Sequence, residues 1–228
     1  MAHKYRTRVD TKQEIIKVGT KMFLEDGFTK TTVAKIAKEL DISPGNLTFH
    51  FPTKEHLLSV LVDELCQFQW KVIERYVEDG KTSLLAVCLE FSAMVAVCEE
   101  NEIVKDFFIS SYNQPMTLEI IRKNDAEKAK KIFGIYCKDW KDEHYEEAET
   151  LVSGIEYATL MTTESSQNLE VRIAGALNAI MSIYNVPEEI RKIKINKVLT
   201  IDYKETGRKI LKEFFEYISE KSIKSVAI

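Results

Sequence analysis

Side chains suited to bind nucleic acid are concentrated between residues 43 and 54, in the segment SPGNLTFHFPTK. Asn46 can pair with an adenine edge, and Thr48 can offer a hydroxyl to a base or a phosphate. Gly45 permits close backbone approach, whereas Phe49 can lie against a thymine methyl group or a sugar, or else pack in the core. The residues that we predict to lie at DNA bases are Ser43, Pro44, Gly45, Asn46, Thr48 and Phe49.

Two short helices are predicted to position these side chains. Apolar residues at Val33, Ile36, Ala37 and Leu40 follow the i, i+3, i+4, i+7 spacing of one helix face. The pattern breaks at residues 40–42 and restarts at Ser43-Pro44, where serine is a preferred N-cap and proline suits the first helical position. Leu47 and Phe51, four residues apart, continue the apolar stripe into the core. This arrangement predicts a helix-turn-helix, whose second helix can enter the DNA major groove.

Residues 8–60 resemble the TetR (tetracycline-repressor) family of transcriptional regulators. The resemblance rests on Gly27-Phe28, Thr31-Thr32-Val33, Ile36-Ala37, Ile42-Ser43, Gly45, Leu47, Phe49-His50-Phe51, Lys54-Glu55 and Leu57-Leu58. The chain departs from the family pattern at Asp41, which replaces a glycine in the turn, at Thr48, which replaces a common tyrosine, and at Ala34. Aspartate tolerates a left-handed backbone better than most residues, so the turn can survive.

The resemblance also implies phosphate contacts and a regulatory role. His50 and Lys54 would sit beside the groove at phosphates, and the Thr32 hydroxyl could act with the start of its helix at another phosphate. Lys4, Arg6 and Arg8 form a basic arm suited to the minor groove or the backbone. Repression is the usual outcome in this family, so we expect a repressor that a ligand releases from double-stranded DNA.

A homodimer is expected because one short recognition helix reads few base pairs. Two-fold dimers bind palindromic operators with half-sites about one helical turn, roughly 34–36 Å, apart or a multiple of that. The resemblance places the dimer interface in a four-helix bundle, which we assign to residues 143–184. Residues 204–222 are the alternative, because Phe214, Phe215 and Ile218 must be buried somewhere.

The resemblance further implies a small-molecule pocket in the C-terminal part. Met and aromatic residues supply the candidates, although such a stripe is more often plain core. The candidates are Phe91, Met94, Val95, Cys98, Phe107, Phe108, Tyr112, Phe133, Tyr136 and Trp140. They favour an apolar or aromatic effector, and we predict no other cofactor. Our hypothesis is that the ligand shifts helix 4 and moves the DNA-binding units out of register.

Charge and cysteine usage agree with a small DNA-binding unit on a larger body. Residues 1–56 carry ten Lys/Arg against seven Asp/Glu, a net of +3, and the remainder of the chain carries a net of −7. The sequence shows no apolar run long enough for a bilayer and no cleavable leader, so we expect a cytoplasmic protein without membrane contact. Cys66, Cys88, Cys98 and Cys137 lie in apolar patterns and form no CxxC pair, which favours buried thiols over a redox switch.

Helical periodicity extends along nearly the whole chain and predicts an all-α fold. We expect a helix-turn-helix domain over residues 1–56 and a helical ligand-binding and dimerisation domain over 57–228, joined by a long helix 4. Predicted helices run from the Asp10 N-cap to Gly27, from Thr53 to Asp79, and then over 83–100, 102–112, 115–140 with a possible break at 124–125, 143–165, 169–184, 187–200 and 204–222. The 143–165 stripe is Leu151, Ile155, Ala158 and Met161.

Two other functions remain as alternatives. An enzyme is disfavoured because His3, His50, His56 and His144 form no HExxH or paired metal spacing, and no nucleophile or phosphate-loop motif occurs. The carboxylates Glu143, Glu146, Glu147 and Glu149 have the pattern of a solvated helix face, so we predict neither a catalytic nor a metal site. A protein-binding adaptor that keeps the fold without using DNA is the second alternative, to which Thr48 and Ala34 give some support.

Overall fold

Eleven α-helices and one 3₁₀ turn make up the chain over residues 8–76 and 83–220, the part that the computed structural model describes, and no strand occurs there. The predicted all-α fold is therefore confirmed. The helices are α1 (Arg8–Glu25), α2 (Val33–Glu39), α3 (Pro44–His50), α4 (Lys54–Val72), α5 (Leu84–Glu100), α6 (Glu102–Asn113), α7 (Pro115–Phe133), α8 (Asp142–Leu160), α9 (Leu169–Ile183), α10 (Glu188–Thr200) and α11 (Tyr203–Glu220). In these residues no helix is both long and apolar enough to cross a bilayer.

The head, defined as α1–α3 with the first turn of α4, folds from local signals. Ser43 and Thr32 are the N-caps of α3 and α2, and their side chains accept hydrogen bonds from the backbone N–H groups of Asn46 and Lys35. Asp41 adopts φ of 52°, the left-handed conformation that its place in the turn requires. Ile36, Ala37, Leu47 and Phe51 are buried, as the sequence predicts.

The body, α5–α11 with the rest of α4, is organised around α5. This helix is apolar on all sides, so it must be surrounded by other elements, and it packs against α6, α8, α9, α10 and α11. The helix α4 packs against both α1 and α7. It therefore joins the head to the body, while the boundary after residue 56 stays a prediction.

Several predicted helix ends differ from the structure. Asp10 lies inside α1 and is not its N-cap. The helix α4 ends at Val72 and a 3₁₀ turn follows to Tyr76, whereas residues 77–82, including Gly80, lie outside the described residues, as do Lys4 and Arg6. The helix α7 continues without a break through 124–125 and ends at Phe133, before the predicted end at residue 140.

The apolar residues of α11 are buried within the same chain. Phe214 and Ile218 are buried, and the Phe214 ring lies 5.3 Å from that of Phe68 on α4. The Tyr217 hydroxyl also donates to Glu64 of α4 at 2.7 Å. Since α5, α1 and α4 cover this helix, its apolar residues need no partner chain, which weakens the alternative dimer interface at 204–222.

Candidate DNA interface and body cavity

The first turn of α3 projects its polar side chains away from the core of the head. Ser43, Pro44, Gly45 and Asn46 are exposed. The Asn46 side chain has no internal hydrogen bond among the described residues, so both its donor and its acceptor are available for a base edge. The exposed residues on the following turn are Thr48 and Phe49, and the 63% exposure of the Phe49 ring excludes a place in the core.

Two of the predicted contact residues are already engaged within the chain. The Thr48 hydroxyl donates to the Gly45 carbonyl at 3.2 Å, so it offers lone pairs more readily than a proton. The Lys54 ammonium donates to the carbonyls of Phe28 and Thr31 at 2.9 and 3.1 Å and lies 4.0 Å from the centre of the Phe28 ring. Two of its three N–H groups therefore fasten α4 to the turn between α1 and α2.

His50 and Thr32 complete the predicted phosphate contacts. The His50 ring is half-buried and lies edge-on to Phe49, with ring centroids 5.4 Å apart. Thr32 is exposed, and its hydroxyl oxygen accepts the Lys35 N–H at 3.2 Å, which leaves the hydroxyl proton for an external acceptor. Both roles at phosphates stay predictions.

A carboxylate from the body holds the turn between α1 and α2. Asp106 of α6 accepts the Thr29 backbone N–H at 2.9 Å and also the Thr29 hydroxyl. Gly27 in the same turn has φ of +94°, and a Cβ there would lie 2.9 Å from the Asp106 carboxylate. The turn is thus held by Asp106 of α6 and Lys54 of α4. Asp106 could not be predicted from the sequence pattern, because its partner lies 77 residues away.

A cavity of about 110 Å³, partly open to solvent, lies between α4, α5, α6, α7, α8 and α9. We call it the body cavity. Five of the ten predicted pocket residues line it, namely Phe91, Met94, Phe108, Tyr112 and Phe133. A smaller cavity of about 40 Å³ adjoins it beneath α11, and the two cavities share five lining residues, namely Leu65, Gln69, Glu90, Met94 and Phe108.

The other five predicted pocket residues do not line the body cavity. Val95, Cys98 and Phe107 are buried on other sides of α5 and α6. Tyr136 and Trp140 follow the end of α7, and the Trp140 ring packs against Tyr145 at 5.2 Å. Apolar composition located the correct helices, but it could not identify which side of each helix faces the cavity.

Four carboxylates line the body cavity, and sequence analysis named only one of them. They are Glu90 of α5, Asp125 of α7, and Glu149 and Glu156 of α8. The assignment of Glu149 to a solvated face was wrong, since this side chain is only 4% exposed. Its face of α8 packs against α7 and α9, while the predicted apolar stripe lies largely outside, with Leu151 54% and Met161 49% exposed.

Burial and neighbouring charges shift the pKa values of these groups. Burial raises the pKa of Glu149 to about 8 and raises the pKa values of Asp125 and Glu156. For Lys128, burial acts to lower the pKa, but the carboxylates of Glu90 and Asp125 outweigh it, so the pKa of Lys128 is raised. Glu149 therefore holds its proton at neutral pH, and burial favours the protonated forms of Asp125 and Glu156.

The thiols have an unreactive environment. All four cysteines are buried and unpaired, as predicted. Burial raises the pKa values of Cys88 and Cys98 to about 12 and raises that of Cys66 as well. Thiols held in the neutral form are poor nucleophiles.

The head matches a known family model. Residues 15–61 match the model described as bacterial regulatory proteins, tetR family. The N-terminal domain of this chain is a TetR-family domain. The resemblance inferred from residues 8–60 is thereby confirmed.

Curated relatives are similar to this chain mainly through the head. The HTH-type transcriptional regulator QacR of Staphylococcus aureus is 35% identical over 66 residues, which cover 28% of this chain and 35% of QacR. The HTH-type transcriptional regulator HbdR of Aromatoleum sp. is 25% identical over 114 residues, which cover 50% of this chain and 48% of HbdR. The chain thus matches between about a third and a half of the length of these relatives.

A solved structure supports the fold beyond the head. The Thermus thermophilus FadR structure, described as a TetR family transcriptional repressor in complex with lauroyl-CoA, superposes with a TM-score of 0.57 at 18% identity. The superposition covers 78% of this chain and 96% of FadR. At this identity the likeness shows the shared helical fold alone.

Proposed function

We propose that this TetR-family protein is a transcriptional regulator that binds a palindromic DNA operator as a homodimer and is released by a small molecule. The observation that carries the proposal is the exposed first turn of α3 in a head of this family, with the Asn46 amide free of internal hydrogen bonds among the described residues. A capped, short helix with outward polar groups suits insertion into the major groove.

The surface of α8 and α9 supports the dimer. Leu151 and Met161 at α8, and Val171 on α9, are about half-exposed large apolar side chains. Gly154 and Gly175, on the same two helices, are exposed, and a Cβ built at either would meet nothing within 4 Å. Residues 151, 154, 158 and 161 with 171 and 175 form the α8–α9 outer face, where small residues permit close approach of a second copy.

The contacts between body and head support ligand control. The helices α4 and α6 both line the body cavity, and both hold the turn between α1 and α2, through Lys54 and Asp106. A ligand that moves either helix would reorient the head relative to its partner in the dimer. Release also requires that the ligand bind the DNA-free conformation more tightly than the DNA-bound one.

Selection of bound duplexes from a random DNA pool, at near-physiological salt, tests the proposal. A TetR-family regulator of this kind recovers a palindrome, and Asn46→Ala loses the base preference at one position of each half-site. The matched control is Lys204→Ala, an exposed lysine of α11 in the body, which leaves recovery unchanged. Sequence-blind binding or none would contradict the proposal and favour the adaptor.

The phosphate contacts have a separate test in the salt dependence of operator binding. Loss of a phosphate contact at His50 or Thr32 reduces the slope of log K against log salt by about 0.9, because fewer counterions are released. We expect this change for His50→Ala and Thr32→Ala and not for Lys204→Ala. An unchanged slope in a variant removes that residue from the interface.

A further inference from the structure

The body cavity is lined by more acidic than basic side chains. Lys128 is the lysine among its lining residues, and its ammonium lies 3.2 Å from Glu90 and 3.5 Å from Asp125. Glu149 and Glu156, two turns apart on α8, form no ion pair with any described residue. The cavity thus contains one internal cation for four carboxyl groups.

The two α8 carboxylates have unused hydrogen-bonding capacity inside the cavity. Glu149 is 4% exposed and receives a hydrogen bond from the Tyr184 hydroxyl at Oε1, but no described residue donates to its Oε2. Glu156 likewise accepts the Tyr112 hydroxyl at Oε2, at 2.9 Å, and nothing described at Oε1. Since a carboxylate can accept about four hydrogen bonds, each of these two side chains has an oxygen at the cavity that a ligand can use as a hydrogen-bond acceptor.

The remaining walls are apolar and aromatic. Phe91, Phe108 and Phe133 line the body cavity together with Tyr112 and Tyr184. Aromatic faces attract cations and also cover apolar surface. The adjoining smaller cavity is lined mainly by apolar side chains, with Gln69 and Glu90 where it meets the body cavity, so it offers room for an apolar substituent next to the carboxyl groups.

Other ligand classes fit this lining poorly. An anion would find one internal cation, Lys128, which is already paired with Glu90 and Asp125, and a purely apolar ligand would offer no hydrogen bond to the carboxyl oxygens at the cavity. A metal ion has no place here, since over residues 8–76 and 83–220 no three His, Cys, Asp or Glu side chains are grouped to hold one. The carboxylates are spread around the cavity, as an extended organic ligand requires.

We propose that the body cavity binds an organic cation, an amine or quaternary ammonium with an aromatic or apolar body, whose charge is neutralised by Glu149 and Glu156. The effector predicted from composition as apolar or aromatic thereby gains a positive charge. Binding itself stands on the cavity alone, whereas its role as the releasing signal rests on the proposed function.

Cation binding is coupled to proton release. Burial raises the pKa of Glu149 to about 8 and that of Glu156 above its ordinary value, so the empty cavity holds protons near pH 7. A bound cation favours the ionised forms, and its affinity therefore rises with pH. The titratable and charged groups that act on Glu149 are Tyr184, directly after α9, and Asp125, Lys128 and Arg122 of α7. Those that share its cavity are Glu156 of α8, Glu90 of α5, Tyr112 of α6 and Cys66 of α4.

Titration calorimetry on the full chain without DNA tests the proposal with a matched set of small probes. The probes are 2-phenylethylammonium, the neutral 2-phenylethanol, the anionic 3-phenylpropanoate and the permanent cation benzyltrimethylammonium. We expect the two cations to bind at least about tenfold more tightly than the alcohol and the anion. Equal or tighter binding of the alcohol or the anion, or no binding of either cation at millimolar concentration, would overturn the proposal.

Variants and pH assign the charge to the two glutamates. The double variant Glu149→Gln with Glu156→Gln should lose the tenfold preference, whereas Glu147→Gln, on the exposed side of the same helix, should keep it. Benzyltrimethylammonium cannot titrate, so tighter binding at about pH 8 than at about pH 6, with heats that depend on the buffer, reports protons leaving the protein. If wild-type affinity does not depend on pH and the heat does not depend on the buffer, the two carboxylates do not bind the cation. This result does not depend on whether the variants fold.

The calorimetric result for cation binding and the result of the DNA selection can be interpreted separately. A protein that binds the cations but recovers no palindrome keeps the cavity site and loses the regulatory function. Conversely, a palindrome recovered by a protein that binds none of the probes keeps the regulator and removes the cation.

Discussion

The head and the body cavity place their polar groups in opposite directions. In the head, Asn46, Thr48 and Phe49 face solvent from a short capped helix, and their neighbours Leu47 and Phe51 form the core. In the cavity, Glu149 and Glu156 face inward among aromatic rings. Water solvates the exposed groups of the head at little cost, whereas a buried carboxyl must be neutralised or paired. The polar groups of the head are therefore stable in water without a bound partner. The carboxyl groups of the cavity, by contrast, have hydrogen-bonding capacity that a ligand could use.

The largest effect is expected from separating the two copies of the head. Gly175→Arg places a long cation on the α8–α9 outer face, where the monomer has open space. The variant should fold and keep its body cavity, but operator affinity should fall roughly 10²–10⁴-fold, because two linked heads bind far more tightly than one.

Sedimentation and operator binding measure this change together. The control is Lys204→Ala on α11, which leaves both the outer face and the head intact and should remain dimeric with full operator affinity. A dimeric Gly175→Arg protein with full operator affinity would contradict the assignment of the outer face as the interface.

A single base contact should have a smaller effect, confined to the head. Asn46→Ala removes an exposed amide without disturbing the α3 cap, since Ser43 bonds the Asn46 backbone and not its side chain. Operator affinity should fall by about 1–3 kcal/mol, with cation binding in the cavity unchanged. Fluorescence anisotropy with labelled operator checks the first part, and the same calorimetry checks the second.

Titration of the cavity should affect stability by a comparable or smaller amount. The Glu149 carboxyl has a pKa of about 8 in the folded chain and 4.5 as its reference value, so between these values the folded state binds the proton and the unfolded chain does not. The free energy of unfolding therefore falls as pH rises through this window, by up to about 2 kcal/mol between pH 5 and pH 7. Below pH 4.5 both states hold the proton and this loss disappears.

Urea unfolding of the wild-type protein and of Glu149→Gln measures this dependence. The glutamine cannot ionise, so the free energy of unfolding of Glu149→Gln should fall less steeply with rising pH. The control Glu147→Gln should follow the wild type. If the free energy of unfolding depended on pH equally steeply in the wild type and in Glu149→Gln, or rose in the wild type between pH 5 and pH 7, a protonated Glu149 would be contradicted.

The smallest expected effect concerns the contact that links the two regions. Asp106→Asn keeps the size of the side chain but weakens its hold on the Thr29 N–H and hydroxyl. The coupling free energy between the two sites, obtained from the ratio of operator affinities without and with benzyltrimethylammonium, should change by about 0.5–2 kcal/mol. The control is Glu102→Gln at the exposed start of α6, and an unchanged ratio in Asp106→Asn would remove this contact from the coupling.

The features that could be predicted from the sequence are those stabilised by residues close together in the chain. The caps at Thr32 and Ser43, the left-handed Asp41 and the buried face of α2 and α3 all depend on residues within one or two turns. The same holds for the existence of α5, α6, α9 and α10, whose periodicity or caps lie within each segment. Local free energies of this kind are set by neighbouring residues, so the pattern of residue types is sufficient to predict them.

Tertiary structure alone decided which of two possible faces each helix buries. The α8 sequence has apolar residues on both sides, so periodicity favoured Leu151 and Met161 as the buried stripe, whereas packing against α7 and α9 buries Glu149 instead. Likewise, the partners of Lys54 and Asp106 lie 23 to 77 residues away. Whether a charge is solvated, paired or held neutral depends on groups that only the fold brings together, and for that reason the chemistry of the cavity was absent from the sequence pattern.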